Sequence, residues 1–182
     1  MASPRKISPQ IIALSGLLSA VALVLLYLAG LIPSGWIGVT AVAGLAVAVA
    51  VSSAGLQCGF MTYIVSGLLA VLLIPAKQTA LVYGAMFGLY PLLKLLIERV
   101  KNRVLEYLLK LVFFNVILFA LYHIAYGLFF AGLSWNWKVP FPLVLAVGGS
   151  VIFMAYDFAF SKVMAMLQAR LVPQIRRRFG GS

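Results

Sequence analysis

The sequence is poor in charge, and above all in negative charge. Of its 182 residues, 9% are charged and only three are acidic, against fourteen Lys and Arg. Soluble domains carry about a quarter charged residues. So low a charged fraction, together with a mean hydropathy of +1.12, indicates an integral membrane protein. A net charge of +11 would suggest nucleic acid as the partner of a soluble chain. Here we expect no nucleic-acid partner, because the basic residues lie where membrane topology needs them.

The residues that catalytic and metal sites need are scarce as well. Cys58 is the single cysteine, which excludes an intramolecular disulfide and any multi-cysteine metal site. Asp157 is the only aspartate, whereas intramembrane aspartyl proteases need two, and three acidic residues cannot supply the metal ligands of CDP-alcohol phosphotransferases. Ser66 and His123 could formally pair, but Ser66 lacks the Gly-x-Ser-Gly surroundings, and no Walker-type phosphate loop occurs. We therefore expect no enzyme activity, cofactor or metal.

Long apolar runs, in contrast, are abundant. A helix needs about 20 apolar residues to cross the hydrocarbon core, and six runs qualify. Several of the gaps are short and contain Pro or Gly, which makes successive helices antiparallel neighbours. We expect an all-α polytopic membrane protein, a compact bundle of six helices in one domain over 1–182. The predicted spans are 11–32, 36–54, 58–74, 79–97, 106–130 and 140–164, followed by a basic tail over 165–182.

The basic residues fall in alternate gaps between these runs. Twelve of the fourteen lie before the first run, around the gap after the fourth, or after the last, which leaves only Lys77 and Lys138 for the other side. The positive-inside rule then places both termini in the cytoplasm. The expected location is the cytoplasmic membrane of a bacterium.

Small residues recur at helical spacing in the second span (Ala46, Ala50 and Ala54), in the fourth span, and more weakly in the first. Such spacing puts small side chains on one face, where another helix can approach closely. Partner helices are either internal or belong to another protein. The residues are Gly16 and Ala20 in the first span and Ala80, Gly84 and Gly88 in the fourth.

Charged residues within the spans need partners, because an unpaired charge in hydrocarbon costs several kcal/mol. Asp157 in the last span and Lys94 in the fourth lie at similar depth, which predicts an ion pair that locks two helices. Lys162 is a substitute partner for Asp157. A proton- or cation-coupling role for Asp157 is the alternative.

The gap over 98–110 carries apolar residues among its charges. Val100, Val104, Leu105 and Leu108 suit an amphipathic helix lying on the membrane surface. Such a helix could dock a cytoplasmic subunit.

Polar and aromatic residues gather at the predicted outer ends of the spans. The lysines there either favour an anionic group or are solvated loop charges. His123 is either a hydrogen-bonded core group or a ligand contact, and the tryptophans either mark the headgroup boundary or line a pocket. The candidate substrate-binding residues are Lys77, Gln78, His123, Tyr126, Trp135, Asn136 and Trp137.

Two segments carry a resemblance to a known family. Residues 59–68 are similar to the Gly-rich third helix, and residues 15–22 to the first helix, of the substrate-binding S components of energy-coupling factor transporters. In that family the first helix carries small residues spaced by four that dock a transmembrane coupling subunit. Gly16 and Ala20 stand here in place of the usual Ala-x-x-x-Ala.

The resemblance implies a capture subunit for the uptake of a vitamin-like small molecule or other micronutrient. Its partners would be the lipid bilayer, a transmembrane coupling subunit and cytoplasmic ATPases that supply the energy. The alternative is a non-transporting membrane scaffold or accessory subunit that packs against partner helices.

Overall fold

The computed structural model describes residues 8–98, 100, 102–129, 141–170 and 173, and the regular structure within them is helical. Six of the described helical segments are long and apolar enough to cross a membrane. The expected all-α fold with six candidate spans is therefore confirmed. The helices are α1 (Pro9–Leu31), α2 (Trp36–Ala54), α3 (Leu56–Leu73), α4 (Lys77–Val82), α5 (Tyr90–Ile97), α6 (Arg103–Phe129) and α7 (Phe141–Arg170).

The fourth span consists of two helices joined by a π-helical turn. It covers Lys77–Ile97 and contains α4, the π turn Tyr83–Phe87 and α5. In the π turn, the Gly88 amide donates to the Tyr83 carbonyl, with 2.7 Å between N and O. A π turn inserts one residue into the helix and often occurs at functional sites.

Contacts divide the chain into two units. Unit 1 takes in the described residues up to Leu93 and those from Val163 onward, and unit 2 takes in Lys94 to Lys162. In unit 1, α1, α2 and α3 pack against one another. Cys58 is fully buried there beside Leu14 and Ala50, so it packs as a small apolar side chain.

Two glycines with positive φ form the ends of α2. Gly35 precedes α2 at φ 84°, and Gly55 separates α2 from α3 at φ 88°. Residues with a Cβ rarely adopt these angles. A single glycine therefore connects two packed helices, which agrees with the short gaps expected from the sequence.

A third glycine allows α2 to contact the π turn. A Cβ placed on Gly44 would lie 2.5 Å from the carbonyl oxygen of Phe87. Gly44 is therefore the point where the α2 backbone meets the backbone of the fourth span.

In unit 2, α6 packs on α7 through stacked rings and a polar bond. The Phe114 and Phe153 ring centroids are 4.6 Å apart, and the Asn115 side-chain amide donates to the Ser150 hydroxyl at 3.1 Å. Asn115 thus bonds to the neighbouring helix.

Two helices extend beyond the predicted spans. α6 begins at Arg103 and is continuous to Phe129, so Val104, Leu105 and Leu108 belong to the fifth spanning helix and not to a separate surface helix. Its first turn is capped by Asn102, whose side-chain oxygen accepts from the Val104 amide at 3.0 Å. α7 continues to Arg170, six residues beyond the predicted end of the last span.

Candidate functional site

All three carboxylates of the chain meet two lysines in unit 2. We call Lys94, Glu98, Glu106, Lys110 and Asp157 the charged cluster. Lys94 and Glu98 come from the end of the fourth span, Glu106 and Lys110 from the first turns of α6, and Asp157 from α7. The cluster therefore joins three helical segments.

Lys94 supplies one half of the network. Its ammonium group forms an ion pair with Asp157, donates to the Ser161 hydroxyl at 2.8 Å, and lies 3.2 Å from a Glu98 carboxylate oxygen. The Ser161 hydroxyl in turn donates to the backbone carbonyl of Asp157 at 2.7 Å. Lys94 thus bonds to α7 through two side chains one helical turn apart.

Lys110 supplies the other half and reaches every carboxylate. Its Nζ lies 2.7 Å from Glu106, 3.2 Å from Asp157 and 3.7 Å from Glu98. Asp157 uses one oxygen for Lys94 and the other for Lys110. Asp157 is therefore the bridge between the two lysines.

Burial differs sharply among the carboxylates. The side chains of Lys94, Lys110 and Asp157 are 9%, 5% and 12% exposed, whereas Glu98 is 47% exposed. Charges removed from water are held only where ion pairs and hydrogen bonds replace hydration. Glu106 is 20% exposed, so Glu98 is the most exposed member of the cluster.

A cavity of about 360 Å³ lies against the charged cluster within unit 2. Apolar and aromatic side chains complete its wall. Its lining residues are Glu98, Glu106, Tyr107, Lys110, Leu111, Phe153, Met154, Asp157, Phe158 and Ser161.

A second polar network lies inside unit 1, beside the π turn. The hydroxyls of Ser66 and Tyr83 are hydrogen-bonded at 2.7 Å, and the Tyr63 hydroxyl donates to the Gly84 carbonyl at 2.8 Å. Ser66 also donates to the Thr62 carbonyl at 2.6 Å. Ser66 and Tyr83 are fully buried, so their hydroxyls connect α3 to the fourth span.

The candidate outer residues lie in different parts of the chain. Lys77 and Gln78 are exposed at the start of α4 in unit 1, and the Lys77 ammonium donates to the Val71 carbonyl at 2.6 Å. His123 is exposed on α6 in unit 2, with its ring edge-on to Phe119 at a centroid distance of 4.2 Å. Tyr126 is part of the α6 backbone, but its side chain lies outside the described residues, as do Trp135, Asn136 and Trp137.

The small-residue faces differ in what they meet. Ala80 is buried, and a Cβ on Gly88 would lie 2.9 Å from the Tyr63 ring, so this part of the fourth span faces α3. A Cβ on Gly84 would meet no atom within 4 Å. Gly16 and Ala20 are exposed on α1.

Lys94 and Asp157, the two residues that sequence analysis paired, are brought together. Sequence analysis missed the other three members of the charged cluster, because it placed Glu98, Glu106 and Lys110 in the basic gap over 98–110, at the membrane surface. One signal was available: the pairs Lys94–Glu98 and Glu106–Lys110 each have the i,i+4 spacing that brings opposite charges together on one helix.

Comparison with known proteins gives no relative. No family model matches the chain, and no significant match occurs among curated proteins or solved structures. Its observed features define a six-helix, apolar protein of the integral membrane class.

Proposed function

We propose that this protein is the substrate-capture subunit of a small-molecule uptake transporter, energised by a separate ATPase module. Its substrate would be vitamin-like or another micronutrient. Support comes from the six candidate spans and from the resemblance of residues 15–22 and 59–68 to the S components of energy-coupling factor transporters.

The observation that carries the proposal is the exposed small-residue face of α1. The adjacent face of α1 is buried and includes Ser15, Ser19 and Leu26. Gly16 and Ala20 are exposed, and a Cβ on Gly16 would meet no atom within 4 Å. Small residues on a lipid-exposed helix face let a second helix approach closely. This face is the proposed dock for a transmembrane coupling subunit.

Substrate would enter from the opposite side of the membrane to the basic gaps. Lys77, Gln78 and His123 are exposed at the ends of their spans, where they are accessible to an incoming molecule. Tyr126, Trp135, Asn136 and Trp137 complete the proposed set. Lys77 and Lys138, the two basic residues that the charge pattern assigns to the outer side, would favour a substrate with an anionic group.

The docking face is tested by Gly16→Leu in affinity purification of the tagged chain from its native membranes. The bulky side chain blocks close approach of a partner helix, so we expect co-purifying membrane and ATPase subunits to fall at least about tenfold by quantitative mass spectrometry. Gly38→Leu on α2 is the matched control, because Gly38 is also exposed and a Cβ there meets no atom within 4 Å. Equal recovery of partners with both variants contradicts the proposed dock.

A non-transporting scaffold is the second candidate, and the position of His123 favours it. His123 lies beside Phe119, which is 63% exposed, on a face of α6 that suits contact with lipid or another helix. The scaffold also predicts loss of partners with Gly16→Leu. The two functions differ in whether the chain holds a small molecule.

A further inference from the structure

One exposed side of α7 is apolar over about two helical turns and ends in a lysine. Val151, Met154 and Phe158 are 65%, 47% and 67% exposed, and Lys162 is exposed as well. Residues at positions i, i+3, i+7 and i+11 lie along one side of an α-helix. We call these four residues the α7 stripe.

The lysine of the α7 stripe lies where a span meets the headgroup layer. Lys162 is close to residue 164, the end of the predicted last span, and α7 itself continues to Arg170. The Lys162 ammonium group lies 5.5 Å from the Phe158 ring centroid. A lysine near the end of a span packs its apolar stem along the helix and keeps its charge at the membrane interface. Lys162 therefore presents its charge at the level of the lipid headgroups.

No described carboxylate neutralises Lys162. The chain has three acidic residues against fourteen Lys and Arg, and all three form ion pairs with Lys94 or Lys110. Within the described part of the chain, no carboxylate oxygen lies within 4 Å of the Lys162 ammonium group. A lysine ammonium group only donates hydrogen bonds, so it needs an acceptor. The acceptor that the chain does not supply is an anion from its surroundings.

An anionic phospholipid matches both parts of the α7 stripe. Its phosphate accepts charge-assisted hydrogen bonds from an ammonium group, and its acyl chains match the exposed apolar side chains. Basic residues near a membrane surface attract anionic headgroups for the same reason. A soluble anion would leave the apolar part of the stripe without a partner, and the charge of a zwitterionic headgroup is already cancelled within the lipid.

We propose that the α7 stripe binds an anionic phospholipid, whose phosphate contacts Lys162 and whose acyl chain lies along Phe158, Met154 and Val151. The proposal does not depend on the capture function, because the stripe contains none of the candidate substrate-binding residues.

Native mass spectrometry of the full chain, delipidated in detergent, tests the proposed lipid site. The protein is titrated with phosphatidylglycerol and with phosphatidylethanolamine that carry the same acyl chains. We expect the first phosphatidylglycerol to bind at least about fivefold more tightly, which is the effect of one basic residue on an anionic headgroup. Inorganic phosphate at the same concentration should not displace it. Equal affinity for the two lipids, or displacement by inorganic phosphate, overturns the proposal.

Lys162→Gln removes the charge from the α7 stripe. We expect this variant to lose most of the roughly fivefold preference for phosphatidylglycerol, whereas Lys162→Arg should retain it. Lys77→Gln is the matched control, because Lys77 is also exposed but its ammonium group already donates to the Val71 carbonyl at 2.6 Å. Circular dichroism checks that each variant folds. An unchanged preference in Lys162→Gln, or an equal loss in Lys77→Gln, would show diffuse attraction in place of a site on α7.

Discussion

At the scale of single residues, the buried lysines are the unusual feature of this protein. The side chains of Lys94 and Lys110 are only 9% and 5% exposed within largely apolar helices. Each has carboxylate partners within 4 Å. Removing one partner from such a network leaves a buried charge without compensation. The resulting loss of folding free energy is larger than the stability that the intact network adds in comparison with an apolar core.

Lys110→Met tests this reading of the cluster. The variant removes a lysine that contacts all three carboxylates of the cluster, so we expect the free energy of unfolding to fall by about 3–5 kcal/mol. Lys162→Met is the control, because the Lys162 ammonium lies over the Phe158 ring and such a contact is worth about 1 kcal/mol. Thermal and denaturant unfolding in detergent measure both. Equal, small losses would show that Lys110 is solvated and not part of a buried network.

Two of the five members of this cluster could be predicted from the sequence. Lys94 and Asp157 stand out because an isolated charge in an apolar run needs a partner. Glu106 and Lys110 do not, since they lie at the start of the predicted fifth span and in the basic gap over 98–110, where charges are expected. Whether Glu106 and Lys110 face the cluster depends on where α6 begins. The helix begins at Arg103, directly after its cap Asn102.

At the scale of elements, the fourth span is held by its neighbours at the π turn. Tyr63 donates to the Gly84 carbonyl, Ser66 is hydrogen-bonded to Tyr83, and Gly44 brings the α2 backbone against Phe87. Polar side chains within membranes commonly bond across helices in this way.

Gly44→Ala tests the close approach of α2. The added methyl would lie 2.5 Å from a backbone oxygen that cannot rotate away, so we expect a loss of about 1–3 kcal/mol in unfolding free energy. Gly38→Ala on the same helix meets no atom within 4 Å and should not reduce stability. Thermal unfolding of the two variants side by side is the measurement. A stable Gly44→Ala would contradict the contact.

The existence of the six spanning helices could be predicted from the sequence, but the π turn within the fourth span could not. Apolar length identified six spans because lipid demands about 20 apolar residues from each. Residues 83–87 have no composition that distinguishes a π turn from an α-helix. The turn lies where Tyr63 and Ser66 bond to Gly84 and Tyr83, and a hydropathy pattern does not encode such tertiary contacts.

At the scale of the whole molecule, the charge asymmetry has two components. Lys94 and Lys110 belong to the charged cluster, and their charges are offset by the carboxylates. Removing these two from the twelve basic residues on one side leaves ten against Lys77 and Lys138. The bias still predicts that both termini lie in the cytoplasm.

Ligand capture is the central claim, and it distinguishes a transporter subunit from a scaffold. The most direct measurement is native mass spectrometry of the wild-type chain extracted gently from its own membranes. We predict a stoichiometric small molecule on the wild-type protein and on Lys162→Gln, lost by at least about tenfold in His123→Ala and Trp137→Ala. A wild-type chain that carries no small molecule, and is not stabilised thermally by any compound in a broad metabolite screen, would contradict the account.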